Sequence, residues 1–272
     1  MPLTSALRDW RRWGLDDEPR LIKTFTNGQN HNTGLISAGG QRYVLKIFSH
    51  SFERAIAAER LANQLDISPT LVYAANDIAL FDYITSPADP EITLLELAQT
   101  LAKVHKEPAL GLEQFDLLRF YDEYLTTADD ITRAWHKALL PILNDFIQDP
   151  TPWCFCHNDL VQENFLTGDK LYVIDWEFAQ QHNPWFDLAA IILYFKLDRH
   201  SAREFLELYQ AGWSEKLNYA IFYTSQISLL WGDLLWNMNK FGNDYRSKNK
   251  PRFERLEKLA AKLDIELPSE AN

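Results

Sequence analysis

The sequence predicts an α+β fold in two lobes: a small β-rich N-terminal lobe over residues 1–84 and a larger, mainly helical C-terminal lobe over residues 85–272. Three observations predict it. Residues 41–48, 153–156 and 171–174 are short runs rich in aromatic and β-branched residues and read as strands. After residue 92, apolar residues recur mostly at helical spacing. Between these regions, Phe81-Asp82-Tyr83-Ile84 runs into Ser86-Pro87 and Asp89-Pro90, where a strand ends and a hinge fits. With 272 residues, 46% of them hydrophobic and 13% aromatic, the chain can bury a large core but is too short for two independent enzymes.

In chain order, residues 25–34 come first. Asn27 and Gly28 tolerate left-handed backbone, so this stretch can fold a hairpin whose N–H groups face phosphates. It is not a G-x-G-x-x-G sequence, and no Walker A sequence occurs in the chain. The strand at 41–48 carries Lys46 inside an apolar run, where an ammonium is costly to bury without anionic partners. Residues 52–65 are alanine-rich and helical in pattern. Glu59 falls on the stripe of Phe52, Ala55 and Ile56, and Glu53 falls off it. Lys46 is the expected partner of Glu59, although a lone Lys or Glu is usually solvated. The helix expected at 92–105 carries Leu94, Leu95, Leu97, Ala98, Leu101 and Val104 at helical spacing. Helices are also expected at 115–124, 131–146, 187–196, 202–210 and 217–240.

The densest chemistry lies between the two later strands. His157-Asn158-Asp159 is followed by Asn164 and then by Asp175 in Val173-Ile174-Asp175-Trp176-Glu177. Gly168-Asp169 is a turn signal, so residues 160–175 form a hairpin-like pair with Asp159 and Asp175 near one end. The spacing His157-x-Asp159-x-x-x-x-Asn164 matches the kinase catalytic loop, in which Asp accepts the hydroxyl proton and Asn holds magnesium. Asn164 and Asp175 are hard oxygen donors suited to a divalent ion bound to phosphates. His157 reads as structural.

On these residues the chain resembles the aminoglycoside phosphotransferase and choline kinase superfamily, whose fold is similar to that of protein kinases. His157-Asn158-Asp159-Leu160-Val161-Gln162-Glu163-Asn164 and Ile174-Asp175-Trp176-Glu177 carry the resemblance, most closely to the choline, ethanolamine and thiamine kinase branch. The resemblance implies a two-lobed protein-kinase-like fold and transfer of the γ-phosphate of ATP, with Mg2+, to a hydroxyl of a small molecule. It implies Asp159 as catalytic base, Asn164 and Asp175 as metal ligands, and Lys46 with Glu59 as the phosphate anchor. The backbone of Asp82, Tyr83 and Ile84 would meet adenine. Asp187 matches a family aspartate and reads as a helix N-cap.

A net charge of −11 argues against nucleic acid, whose backbone requires a basic face, and permits a cationic acceptor. No apolar run approaches a membrane span and no signal core occurs, so a cytoplasmic protein with no membrane partner is expected. Cys154 and Cys156 alternate on one strand. A zinc site with His157 is conceivable, but burial in the strand fits better. For the acceptor, Trp185, Trp231 and Trp236 offer cation–π faces, and Asp233 or Glu177 offers a balancing charge. Trp231 and Trp236 are five apart, about 140° around a helix, so they do not share one wall. Choline or ethanolamine is the expected acceptor; thiamine, amino sugars and aminoglycosides are the alternatives. A non-catalytic kinase-like binding module is the other class. It would lack a base, lysine or metal ligand, and here all are present.

Overall fold

The computed structural model describes residues 2–25, 31–49, 52–87, 91–108 and 111–268. The chain forms two compact units, Met1–Val104 with Asp159–Ala179 and His105–Asn158 with Gln180–Asn272. In chain order the helices are α1 (Leu3–Ala6), α2 (Phe52–Gln64), α3 (Leu94–His105), α4 (Leu117–Leu125), α5 (Asp130–Ile147), α6 (Trp185–Tyr194), α7 (Arg199–Gly212), α8 (Phe222–Phe241), α9 (Tyr245–Lys248) and α10 (Lys250–Ala261). The strands are β1 (Arg20–Phe25), β2 (Asn32–Ala38), β3 (Gln41–Ile47), β4 (Leu71–Ala75), β5 (Ile78–Asp82), β6 (Cys154–Cys156), β7 (Phe165–Thr167), β8 (Leu171–Val173) and β9 (Gln180–His182).

In the first unit, β1 to β5 make one antiparallel sheet in the order β1-β2-β3-β5-β4. Strand alternation divides its residues between two cores. Tyr43, Leu45 and Ile47 of β3 join Ile78 and Leu80 of β5 against Leu3, Ala6 and Trp13 on one face. Val44 and Phe48 join Ala79 and Phe81 on the other, beneath Ala55 and Ile56 of α2. Lys46 belongs to this second set by its position. Helix α3 opens with a capping box: Glu96 accepts from the Thr93 amide at 2.9 Å and donates its own amide to Thr93 Oγ1 at 3.2 Å. The hairpin expected at 160–175 is present as β7 against β8, turning through Gly168, whose added Cβ would stand 3.1 Å from Ile84.

The second unit is helical around a short two-stranded ladder of β6 and β9. Strand β9 has no counterpart in the sequence reading, since Gln180-Gln181-His182 is a polar run without β-branched residues. Asp116, Asp129 and Asp198 cap α4, α5 and α7 by accepting the amide three residues on. Helix α8 starts at Phe222 rather than 217, because Asn218 first caps a 3-10 turn over Tyr219–Ile221. Helix α10 also goes beyond the sequence reading; it buries Phe253, Leu256, Leu259 and Ala260 along one stripe. Among the described residues, no helix is long and apolar enough to cross a membrane.

Candidate active site

In the first unit, β3, α2 and the segment 159–179 bring the predicted polar residues together. Lys46 is 8% exposed, and Ala79 stands opposite it in β5 with a side chain small enough to leave room for the lysine stem. Its ammonium donates to Asp175 Oδ1 at 2.5 Å and lies 4.8 Å from the centre of the Phe48 ring. The expected partner, Glu59, is not the one Lys46 touches. Glu59 is buried and accepts the Trp176 amide at 3.4 Å. Its carboxyl is pushed up to about 7, chiefly by burial, while the charge of Lys46 pulls it down. Of the two carboxylates, Lys46 contacts the more exposed, Asp175.

Asp175 has left-handed backbone, φ 68° and ψ 57°, at the entry to a 3-10 turn over Trp176–Phe178. Asp tolerates this conformation better than most side chains, yet it is a strained position of the kind found at functional sites. The Ile174 amide donates to the Asn164 carbonyl at 2.9 Å, which ties Asn164 beside the residue preceding Asp175. Asn164 Nδ2 donates to the Asp159 carbonyl at 2.8 Å and to Asp159 Oδ2 at 3.2 Å. With its NH2 turned to Asp159, its Oδ1 is the atom left to act as a donor to a cation.

Glu177 is buried, its Oε2 pairing with His31 Nε2, and its backbone oxygen accepts from Arg54 Nη2 at 3.5 Å. Sequence reasoning did not assign a role to His31 or Arg54. His31 follows a Gly/Asn-rich stretch with no periodicity, and Arg54 is an ordinary charge on a helix, so neither carries a local signal. The expected phosphate-facing Asn27 and Gly28 lie outside the described residues. At the hinge, the Asp82 amide donates to the Thr70 carbonyl and the Tyr83 amide to that of Arg42. Those two donors are therefore engaged within the sheet, and half-buried Ile84 follows them.

In the second unit, Asp187 is the third residue of α6 and caps nothing. Asn183 Oδ1 accepts the Trp185 amide instead. The fully buried Asp187 carboxylate accepts the amides of His157 at 2.7 Å and Asn158 at 2.9 Å, and contacts His105 Nε2 at 3.2 Å. Burial works to raise its pKa, but His105 and then His157 together hold it below the usual carboxylate range. It thus fixes the two residues that precede Asp159. Trp185 packs edge-on to Tyr219 and Phe222, and Trp231 donates to His136 Nδ1 at 3.0 Å; both are fully buried. Asp233 is paired with Arg252 at 3.2 Å, and the half-buried Trp236 ring carries the Lys240 ammonium at 4.8 Å.

One ammonium, several carboxylates and an amide oxygen in one unit can neutralise a polyanion, hold a hard divalent ion and receive a proton. The sequence profile described as "APH: Phosphotransferase enzyme family" matches residues 21–221. The chain belongs to this family. It is similar to Protein LicA of Haemophilus influenzae, 23% identical over 211 residues that cover 67% of this chain and 60% of that protein. The chain therefore spans well under the full length of this curated relative. Its fold is that of choline kinase LicA from Streptococcus pneumoniae, with a TM-score of 0.71 at 20% identity over 89% of this chain and 95% of that one. It is also that of LicA in complex with AMP, with a TM-score of 0.73 at 20% identity over 95% and 98% of the two chains.

Proposed function

We propose that the protein is a small-molecule kinase that transfers the γ-phosphoryl group of ATP to the hydroxyl of a small cationic alcohol, choline or ethanolamine foremost. The observation that carries this reading is the Lys46–Asp175 contact in the same unit as the Asn164–Asp159 pair. Phosphoryl transfer asks little of a protein beyond positioning and charge neutralisation, and these are the groups for it. Lys46 would exchange its contact with Asp175 for phosphate oxygens when nucleotide binds. The donors also fit magnesium: Asp175 supplies a charged oxygen and Asn164 Oδ1 a neutral one, both hard ligands. The ion would supply charge neutralisation at the phosphates. Asp159, its carboxylate held by Asn164, would orient the acceptor hydroxyl and take its proton.

The similarity to proteins named LicA, one of them described as a choline kinase, supports the choice of acceptor. For the acceptor's positive charge we assign Glu177; in the second unit, Asp233 and Trp236 are already engaged by Arg252 and Lys240. Trp185 and Trp231 are filled into the core of that unit and support it. The test is magnesium-dependent ATP consumption with choline, ethanolamine, thiamine, amino sugars and aminoglycosides, the product identified by phosphorus NMR. Turnover of choline or ethanolamine is expected. A panel in which no acceptor is phosphorylated would end the kinase reading, and reaction of neutral sugars alone would end the cationic one.

A further inference from the structure

The Cys154-x-Cys156 pair takes no part in the chemistry above. We infer that His105, Cys154 and Cys156 form a buried metal site in the second unit, suited to a tetrahedral, sulfur-binding divalent ion such as zinc. Their ligand atoms all lie within 4.8 Å of one another, and all three residues are buried. The two cysteines point to the same face of β6 because they are two residues apart on a strand. His157, the residue next to Cys156, is not in the set; His105, the last residue of α3, takes the third corner.

The geometry suits a metal. The sulfurs are 3.7 Å apart. An ion about 2.3 Å from each would see them under an angle of about 107°, close to tetrahedral. The histidine is already oriented as metal-bound histidines are, with a carboxylate behind it: Nε2 meets Asp187 at 3.2 Å. That carboxylate calls for the proton on Nε2, which leaves the Nδ1 lone pair turned the other way, where it accepts from Tyr209 Oη at 2.8 Å. The His182 carbonyl accepts from the Cys156 thiol at 3.4 Å and from the Cys154 thiol at 3.9 Å, contacts that the sulfurs exchange for the ion on loading. Charge favours the same class of ion. A divalent cation with two thiolates adds no net charge to the core. Loading releases two protons, one from each thiol, and frees the Tyr209 hydroxyl from Nδ1.

Cobalt is the probe. The reduced, chelator-stripped full-length chain is titrated with Co2+, and then Zn2+ is added. One equivalent should give the visible bands of tetrahedral cobalt together with near-ultraviolet thiolate charge transfer, and zinc should abolish both. The bands should survive in Asp175→Ala, which removes a carboxylate of the proposed magnesium site, and vanish in the Cys154→Ser/Cys156→Ser double variant. If that variant does not fold, X-ray absorption on the zinc-loaded wild type decides, with two sulfur neighbours at about 2.3 Å expected. An octahedral cobalt spectrum without charge transfer, bands that persist without the cysteines, or a zinc shell lacking sulfur would each overturn the site. None of these results bears on the kinase reading, which uses other residues.

Discussion

Asp159 and Asp175 are both carboxylates of one short segment, yet their partners give them different work. Asp159 is held by the NH2 of Asn164, and Asp175 by the ammonium of Lys46. If Asp159 is the proton acceptor, Asp159→Asn should leave nucleotide affinity within about twofold and lower turnover by about 100-fold or more. Retained turnover in the purified variant would remove Asp159 from the mechanism. Asp175→Ala has two consequences. It deletes the charged metal donor, so magnesium-dependent turnover should be lost even at high magnesium. It also puts a less tolerant residue at a left-handed position and removes the carboxylate that Lys46 contacts. Comparing nucleotide affinity with turnover across a magnesium series separates the effects: turnover that still rises with magnesium as in wild type would refute the ligand assignment.

At the level of elements, much of this arrangement could be read from sequence. The strand carrying Lys46, the helix carrying Glu59 and the β7–β8 hairpin carry strong apolar periodicity or turn signals. Asp159 and Asn164 stand at fixed spacing before β7, and Asp175 follows β8. What escaped reading depends on tertiary partners. Polar β9 is a strand because β6 needs its ladder, and His31 meets Glu177 across 146 positions of sequence. The Lys46 contact with Asp175 joins residues 129 positions apart, which no local pattern encodes. A division of the chain at residue 84 cannot express the grouping of Asp159–Ala179 with the N-terminal sheet either. Asp187 shows the same limit. Its place at the start of α6 suggested a cap, but its carboxylate holds the amides of His157 and Asn158. Asp187→Ala should leave those buried donors unmatched, at about 1–3 kcal/mol each. Urea unfolding should show the loss, and turnover should fall because Asp159 follows directly. Wild-type stability in this variant would mean that the two amides find other acceptors.

For the whole molecule, buried groups titrate in opposite senses: Glu59 works against stability as pH rises, while His182 and Asp187 work against it as pH falls. Glu59 is raised from 4.5 to about 7, mainly by burial. Between those values the folded chain binds more protons than the unfolded one, so stability falls as pH rises, by up to about 3 kcal/mol in total. His182 is lowered from 6.5 to about 3, again mainly by burial, among Phe115, Phe146, Trp153 and Phe186. Here the unfolded chain binds more protons, so stability falls as pH drops from 6.5 towards 3, by up to about 5 kcal/mol. From pH 4.5 to 6.5 the two slopes oppose each other. Stability should therefore be nearly flat across that window, decline gently from 6.5 to about 7, and collapse in acid below 4.5. The measurement is the urea midpoint from pH 3.5 to 8.5, with a chelator present so that no metal at Cys154 and Cys156 contributes. Glu59→Gln keeps the shape and removes the proton, so the decline on the alkaline side should vanish and the acid limb, no longer opposed, should extend up to about pH 6.5. An alkaline limb that persists in Glu59→Gln would show that another group, and not the buried carboxyl behind Trp176, sets the upper edge.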